Sequence, residues 1–442
     1  MSTTIRNIGY RGLVCAVGVA VLTALAVPVA AAPAKAKSTA SAVKKAKAPA
    51  TDTERTPQVL QIELFQNLLP SRAKALRALV DRFNAQNKTY QVTLVDQDWR
   101  ADEAPHMMIL DGDEEEAFLA GKTPRYKPLF TLMRQAGVAL QTVKPQAMVT
   151  RKPLNAKGQL LALPVGLNTP VLYFNRAALK RAGLDAASPG VFTTFSELQG
   201  TLGKLAASGS RCPLIIAEPA RVLLENESAW NNMPVFKGKQ AVFTGLFHVR
   251  YLSQMSSWNH ANLLYVSKDR NEADQRFASG ECSLLIAPSD SWVDFQKGGL
   301  DAGVTRLPYQ DDTPGAPQNT LADGASLWAA AGKKAPEYKG VANFVAFWLL
   351  PENQVAWQRE AGYLPLSKAG IMALDSQLLA HDLENIKVAV GQLTNRPVTS
   401  NSATQLRAPA RRVVDEELAD VWADRKSAKA ALDSAAAKLS GK

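Results

Sequence analysis

The 442-residue sequence predicts an α/β protein in which mixed β-sheets are flanked by helices. Three observations point there. Length and a 46% hydrophobic content leave room for two packed cores, because a single core stops growing near about 250–300 residues. A strand–helix–strand succession opens the folded part, and a second such unit begins after Gly158.

In the first unit, residues 58–65 alternate, with Leu60, Ile62 and Leu64 on one face, as a strand does. Ser71 is read as the cap of a helix whose apolar stripe is Leu76, Leu79, Val80 and Phe83. Val92 with Leu94, and the run Met107 to Leu110, supply two more strands. In the second unit, Leu160 to Val165 and Val171 to Phe174 read as strands, and a helix over Ala177 to Ala182 stops at Gly183. Thr194 with Glu197 forms a capping box ahead of a helix over Leu198 to Ala207. Strands recur at 213–217, 283–287 and 303–307, and helices at 337–349, 352–361 and 412–423. The Ala-rich residues 427–440 are expected to form a helix that covers a lobe.

The N-terminus reads as an export signal over 1–34. Arg6 and Arg11 precede an uncharged apolar run, Leu13 to Val29, followed by Ala30, Ala31, Ala32 and Ala34. Pro28 and the alanines favour cleavage over a membrane anchor. Cys15 opens the apolar run instead of ending it, which disfavours a lipidated cysteine. Residues 35–56 are mostly Ala, Lys, Ser, Thr and Pro and read as a flexible basic linker. The formal charge is +11, and the seven cations among residues 1–50, which hold no acid, leave +4 for the rest. That remainder, without a basic stripe, argues against nucleic acid. Cys212 and Cys282 each open an apolar run. In an oxidising compartment they are read either as a disulfide or as two buried thiols.

Signatures of catalysis are scarce. His106, His248, His260 and His381 show no zinc-ligand spacing, and there is no G-x-S-x-G, Walker or G-x-G-x-x-G motif. The acidic run Asp111, Asp113, Glu114, Glu115 and Glu116 lacks the ligand pattern of a calcium loop and reads as the first turn of a helix. No cofactor and no metal are expected.

Several stretches resemble the extracellular solute-binding family of ABC importers. They include Gly158-Gln-Leu-Leu-Ala-Leu-Pro164, Thr169-Pro-Val-Leu-Tyr-Phe-Asn175, Phe277-Ala-Ser-Gly-Glu-Cys-Ser-Leu284, Gly324-Ala-Ser-Leu-Trp328 and Gly362-Tyr-Leu-Pro365. Leu224-Glu-Asn-Glu-Ser-Ala-Trp-Asn231, Ala316-Pro-Gln-Asn319 and Val414-Asp-Glu-Glu-Leu418 resemble its glycerol-3-phosphate-binding subgroup more narrowly. The likeness spans about residues 58–440. It implies a two-lobed periplasmic-binding-protein fold with the ligand cleft between lobes. One lobe is then expected from 57–165 plus 322–370, and the other from 166–321 plus 371–442.

The resemblance also implies ligand-binding residues. Gly324 matches a glycine whose backbone approaches the ligand, Tyr363 a ligand tyrosine, and Arg411 an arginine whose fork suits phosphate or carboxylate. Other positions depart from the family. Asn168 stands for a serine; Pro288 stands for another, with Ser289 beside it; Gly112 stands for a glutamate, flanked by Asp111 and Asp113. A family tyrosine falls near Trp99 or Arg100, and two tryptophans fall at Glu218 and Arg221. An acid and a guanidinium do not form the aromatic wall that cradles a cationic ligand face. The expected function is an import receptor for a small polar solute such as a phosphorylated polyol or sugar. It is a monomer in the periplasm, delivers to a permease and ATPase complex, and is not an enzyme. The alternatives are a periplasmic sensor with a degenerate cleft, or a hydrolase using Asp111, Asp113 or Glu218.

Overall fold

The computed structural model describes residues 59–140, 154–155, 157–267, 269–365, 380–396, 406 and 408–440. The export segment and the linker lie outside them. Thr56–Lys442 form one compact unit.

The unit contains two five-stranded mixed sheets. The first has the order β2-β1-β3-β12-β4, with β1 Leu60–Gln66, β2 Tyr90–Val95, β3 Met107–Leu110, β4 Leu163–Pro164 and β12 Ser326–Ala329. β1 pairs parallel with β2 and β3, and β12 runs antiparallel to β3 and β4. The second has the order β11-β5-β10-β6-β9, with β5 Pro170–Asn175, β6 Cys212–Ile216, β9 Leu264–Val266, β10 Cys282–Pro288 and β11 Ala302–Thr305. A two-stranded ribbon, β7 Phe236–Lys237 with β8 Gln240–Ala241, lies apart.

The expected stripe of helix α1, Pro70–Gln86, is buried against the first sheet through Leu76, Leu79, Val80 and Phe83. Its start differs from the expectation: Pro70 occupies the first turn, Leu69 stands at the cap without a side-chain bond, and Ser71 Oγ instead accepts from Arg72. Proline suits that position because its missing N–H would have no helical partner there. The strand expected over 160–165 shrinks to Leu163–Pro164, since only these residues pair with β12. Every residue of β5 is buried because both faces are covered. Leu172 and Phe174 enter one core, and Val171 and Tyr173 the other. Helix α5, Phe195–Ala207, carries the expected capping box. Thr194 Oγ1 accepts from Glu197 N at 3.2 Å, and Glu197 Oε2 from Thr194 N at 3.1 Å.

Cys212 and Cys282 begin adjacent parallel strands in register and form a disulfide, with Cα atoms 4.5 Å apart. Helix α13, Ala408–Trp422, packs along α14, Ala428–Ser440, whose Ala428, Ala431, Leu432 and Ala435 complete the core beside the second sheet. α12, Ala380–Leu393, covers the other face of that sheet.

The chain crosses between the sheets beside two touching strands. Val165 and Gly166 both donate to Ala325 O at 2.9 Å, and Asn168 and Asp323 exchange backbone bonds at 2.9 Å. A Cβ on Gly324, which has φ +133°, would sit 1.1 Å from Gly166 O. A third crossing follows α11, Pro351–Ala361, and joins the first through Leu364 N, which donates to Leu167 O at 2.7 Å.

Candidate functional site

A cavity of about 480 Å³ opens where the crossings meet the two sheets. From the first-sheet side, Leu69 before α1, Asp111 at the end of β3, and Gly112 at the start of α2, Gly112–Leu119, face it. The crossings bring Asn168, Asp323, Gly324 and Tyr363. From the second-sheet side come Glu218 and Arg221, Arg270 on α8 (Arg270–Ala278), and Arg411, Arg412, Asp415 and Glu416 on α13.

Local backbone geometry explains two of these placements. Glu218 has φ +52°, the left-handed region that costs a non-glycine residue about 1–3 kcal/mol and recurs at functional sites. It leads into π-helical turns over Ala220–Asn226, a geometry also concentrated at such sites. Asp415 holds that segment by accepting from Ala220 N at 2.8 Å.

Seven expected residues therefore converge on the cavity: Asp111, Asn168, Glu218, Arg221, Gly324, Tyr363 and Arg411. Two lie elsewhere. Ser289 is fully buried, its N–H donating to Thr169 O at 2.8 Å and its carbonyl accepting from Tyr173 Oη at 3.0 Å. Trp99 packs edge-on against Phe118, with Arg100 and Arg125 over its ring at 4.3 and 4.7 Å. Asp113 is the second residue of helix α2, and its side chain lies outside the described residues. Arg270, Asp323 and Arg412 carry no local signal that singles them out in the sequence. Asp415 and Glu416 belong to the quoted 414–418 stretch, of which only the helical face is legible.

Among the described residues the wall holds both signs of charge, with four arginines and five carboxylates, and one aromatic ring, Tyr363. The arginines already face acids. Arg411 brings Nε and Nη2 to Glu225 Oε2 at 2.9 and 2.8 Å, with Asp323 at 3.5 Å. Arg221 donates to Asn168 Oδ1 at 2.5 Å and stands 3.3 Å from Glu218 and 3.4 Å from Asp323. Its buried Nε has no hydrogen-bond partner among the described residues. Crowding of acids shows in their protonation. Partial desolvation at the cavity wall first, then Asp323 and Glu218, push Asp111 up to about 6. Burial, with Glu218 nearby, likewise pushes Asp415 up to about 6. Burial also raises the Tyr363 hydroxyl, leaving it a neutral donor. Such a wall offers guanidinium N–H groups to anionic oxygens and carboxylates to hydroxyls.

The family model described as bacterial extracellular solute-binding protein matches residues 78–371. The chain belongs to the bacterial extracellular solute-binding protein family. Among curated relatives of this solute-binding protein is the sn-glycerol-3-phosphate-binding periplasmic protein UgpB of Pectobacterium atrosepticum. It is 31% identical over 390 residues, which cover 82% of this chain and 86% of that protein. Among solved structures, UgpB from Mycobacterium tuberculosis in complex with glycerophosphocholine superposes with a TM-score of 0.66 at 20% identity, covering 86% of this chain and 97% of that one. Maltose-bound MalE3 of T. maritima reaches 0.68 at 16% identity, covering 87% and 100%. At these identities the structural likenesses establish the two-lobed fold of the solute-binding protein. Among its described residues, no helix is long and apolar enough to cross a membrane.

Proposed function

We propose that this solute-binding protein captures a small phosphorylated polyol, with sn-glycerol 3-phosphate as the first choice, in the cavity at the crossings. The carrying observation is the wall itself, about 480 Å³ bounded by guanidinium and carboxylate groups with a single aromatic ring among the described residues. A longer sugar would want stacking rings, whereas a phosphate ester with free hydroxyls presents acceptors to arginines and donors to acids. Asn168, Arg221, Tyr363 and Arg411 are assigned to polar recognition, and Gly324 to backbone approach. Glu218, Asp111 and Asp323 receive hydroxyls.

In this reading the lobes are 57–165 plus 322–370 and 166–321 plus 371–442. The chain is cut between Ala30 and Ala34, works as a periplasmic monomer, and hands its ligand to a membrane permease and its ATPase without chemical change. A second reading, a neutral polyol or sugar, is favoured by one observation. Arg411 is already gripped by Glu225, which is 2% exposed. A thermal-shift screen separates the two. A ligand at 100 times its dissociation constant adds about 2.7 kcal/mol of stability. A shift with sn-glycerol 3-phosphate and none with glycerol or glucose supports the first reading, and the reverse pattern supports the second.

A further inference from the structure

Two arginines share one buried acid between the halves of the molecule. Arg72, in the first turn of α1, the helix packed on the first sheet, is 0% exposed. Asp290 follows β10 of the second sheet and is also 0% exposed. Arg72 Nη2 lies 3.1 Å from Asp290 Oδ2, and the same guanidinium also meets the Asp290 carbonyl and Asp294. Arg270 donates from Nη2 to that same Asp290 Oδ2 at 2.8 Å and to Ser291 Oγ at 2.9 Å. Its Nε stands 3.4 Å from Asp274. Arg270 also lines the cavity, and among the described residues its Nη1 has no hydrogen-bond partner. Asp290 thus joins a cavity-lining cation to a cation of the other lobe.

Resting on the cavity reading above, we propose that Arg270 is a ligand-binding residue for the anionic group of the solute, and that Asp290 couples it to Arg72 across the lobes. The electrostatic logic is a competition. With the lobes together, Asp290 is neutralised by two arginines, which leaves the free edge of Arg270 for a ligand oxygen. When the lobes part, Arg72 leaves, and Asp290 must draw its compensation from Arg270 alone. An anion on Arg270 therefore binds more tightly to the closed form and by linkage favours that form. Arg72 acts through Asp290 and is a positioning residue.

The experiment is calorimetry with sn-glycerol 3-phosphate on the mature chain, the variants Arg270→Gln, Arg72→Gln and Arg72→Lys, and the Arg270→Gln/Arg72→Gln double variant. Near-ultraviolet circular dichroism checks the fold. Arg72→Lys keeps the buried charge and is the conservative control, expected to hold affinity nearer the wild type than Arg72→Gln does. Arg270→Gln is expected to weaken binding by about 10- to 100-fold, which tests the assignment even if Arg72→Gln does not fold. Arg72→Gln is expected to weaken it less. The double variant should lose less than the product of the single losses, because the two sites share Asp290. A purely structural Arg72 would change stability and leave affinity alone. Wild-type affinity in Arg270→Gln, or in a folded Arg72→Gln variant, overturns this inference while leaving the phosphorylated-polyol reading standing. Failure of the unsubstituted chain to bind sn-glycerol 3-phosphate overturns both.

Discussion

Gly324 shows how a single residue sets the site. Its φ of +133° disfavours any side chain, and a Cβ there would overlap Gly166 O at 1.1 Å. The glycine therefore does more than let a ligand approach, since it keeps two crossing backbones in contact. Gly324→Ala is expected to cost about 3 kcal/mol from strain and overpacking, read as a lower denaturant midpoint. Wild-type stability would show that the crossings can separate freely. Asp111 gives a pH signature. Its carboxyl, at the solvent-open cavity wall, is pushed up to about 6 by partial desolvation there and by Asp323 and Glu218, against about 3.9 in an unfolded chain. An acid raised on folding costs stability once it ionises, so the cost is present above about 6 and vanishes below the unfolded value. Asp111→Asn, which keeps an acceptor for the Asn67 amide at 3.1 Å, should stabilise the protein at pH 7 and leave it unchanged near pH 4. Denaturant melts at the two pH values measure this, and an equal effect at both would exclude ionisation as the cause.

At the scale of elements, the disulfide and the π-helical turn fix the second sheet and its cavity wall. Cys212 and Cys282 are separated by 70 residues in sequence, and their bond ties β6 to β10, the strand that leads to Asp290. Closing a loop of that length is expected to stabilise by about 4 kcal/mol. Replacing both cysteines by alanine should lower the unfolding free energy by that amount, and a reducing agent should do the same to the parent chain. Insensitivity to reduction would mean that the sheet alone holds the register. The π-helical turn places Arg221 and Glu225 four residues apart yet directs both toward the crossing and α13. Arg221 meets Asn168 and Glu225 meets Arg411. Without that geometry the wall would lose its paired charges.

For the whole molecule, three crossings and the buried Arg72–Asp290 ion pair link the two sheets. The first sheet packs a cluster of its own, while Val355 of α11 and Leu364 of the third crossing pack into a cluster of the second sheet. Ligand should draw the lobes together as a hinge closure. Small-angle scattering with and without a saturating ligand from the screen is expected to show a smaller radius of gyration when bound. An unchanged radius would indicate a cleft already closed without ligand.

Much of this architecture is legible in the order of residues alone. The alternation in residues 58–65, the Leu76–Phe83 stripe and the Thr194–Glu197 box are local patterns, and each depends only on neighbours a few positions away. The cavity is legible in part. Asn168, Tyr363, Gly324 and Arg411 stand out through family likeness, but nothing local says that Glu225 occupies Arg411. Arg270, Asp323 and Asp290 are silent for the same reason. Arg270 follows a helix cap, Asp323 precedes a glycine, and Asp290 follows a buried strand; each reads as ordinary there. The sequence by itself determined many of the local elements and the family, but not the strands Leu264–Val266 and Ser326–Ala329 or the helix Ala380–Leu393. Only the tertiary structure decided which charges meet, because the paired groups lie far apart in sequence: 186 positions for Arg411 and Glu225, and 218 for Arg72 and Asp290. Coulomb energy depends on distance and on exclusion of water, and both are set by how the crossings fold the chain back on itself.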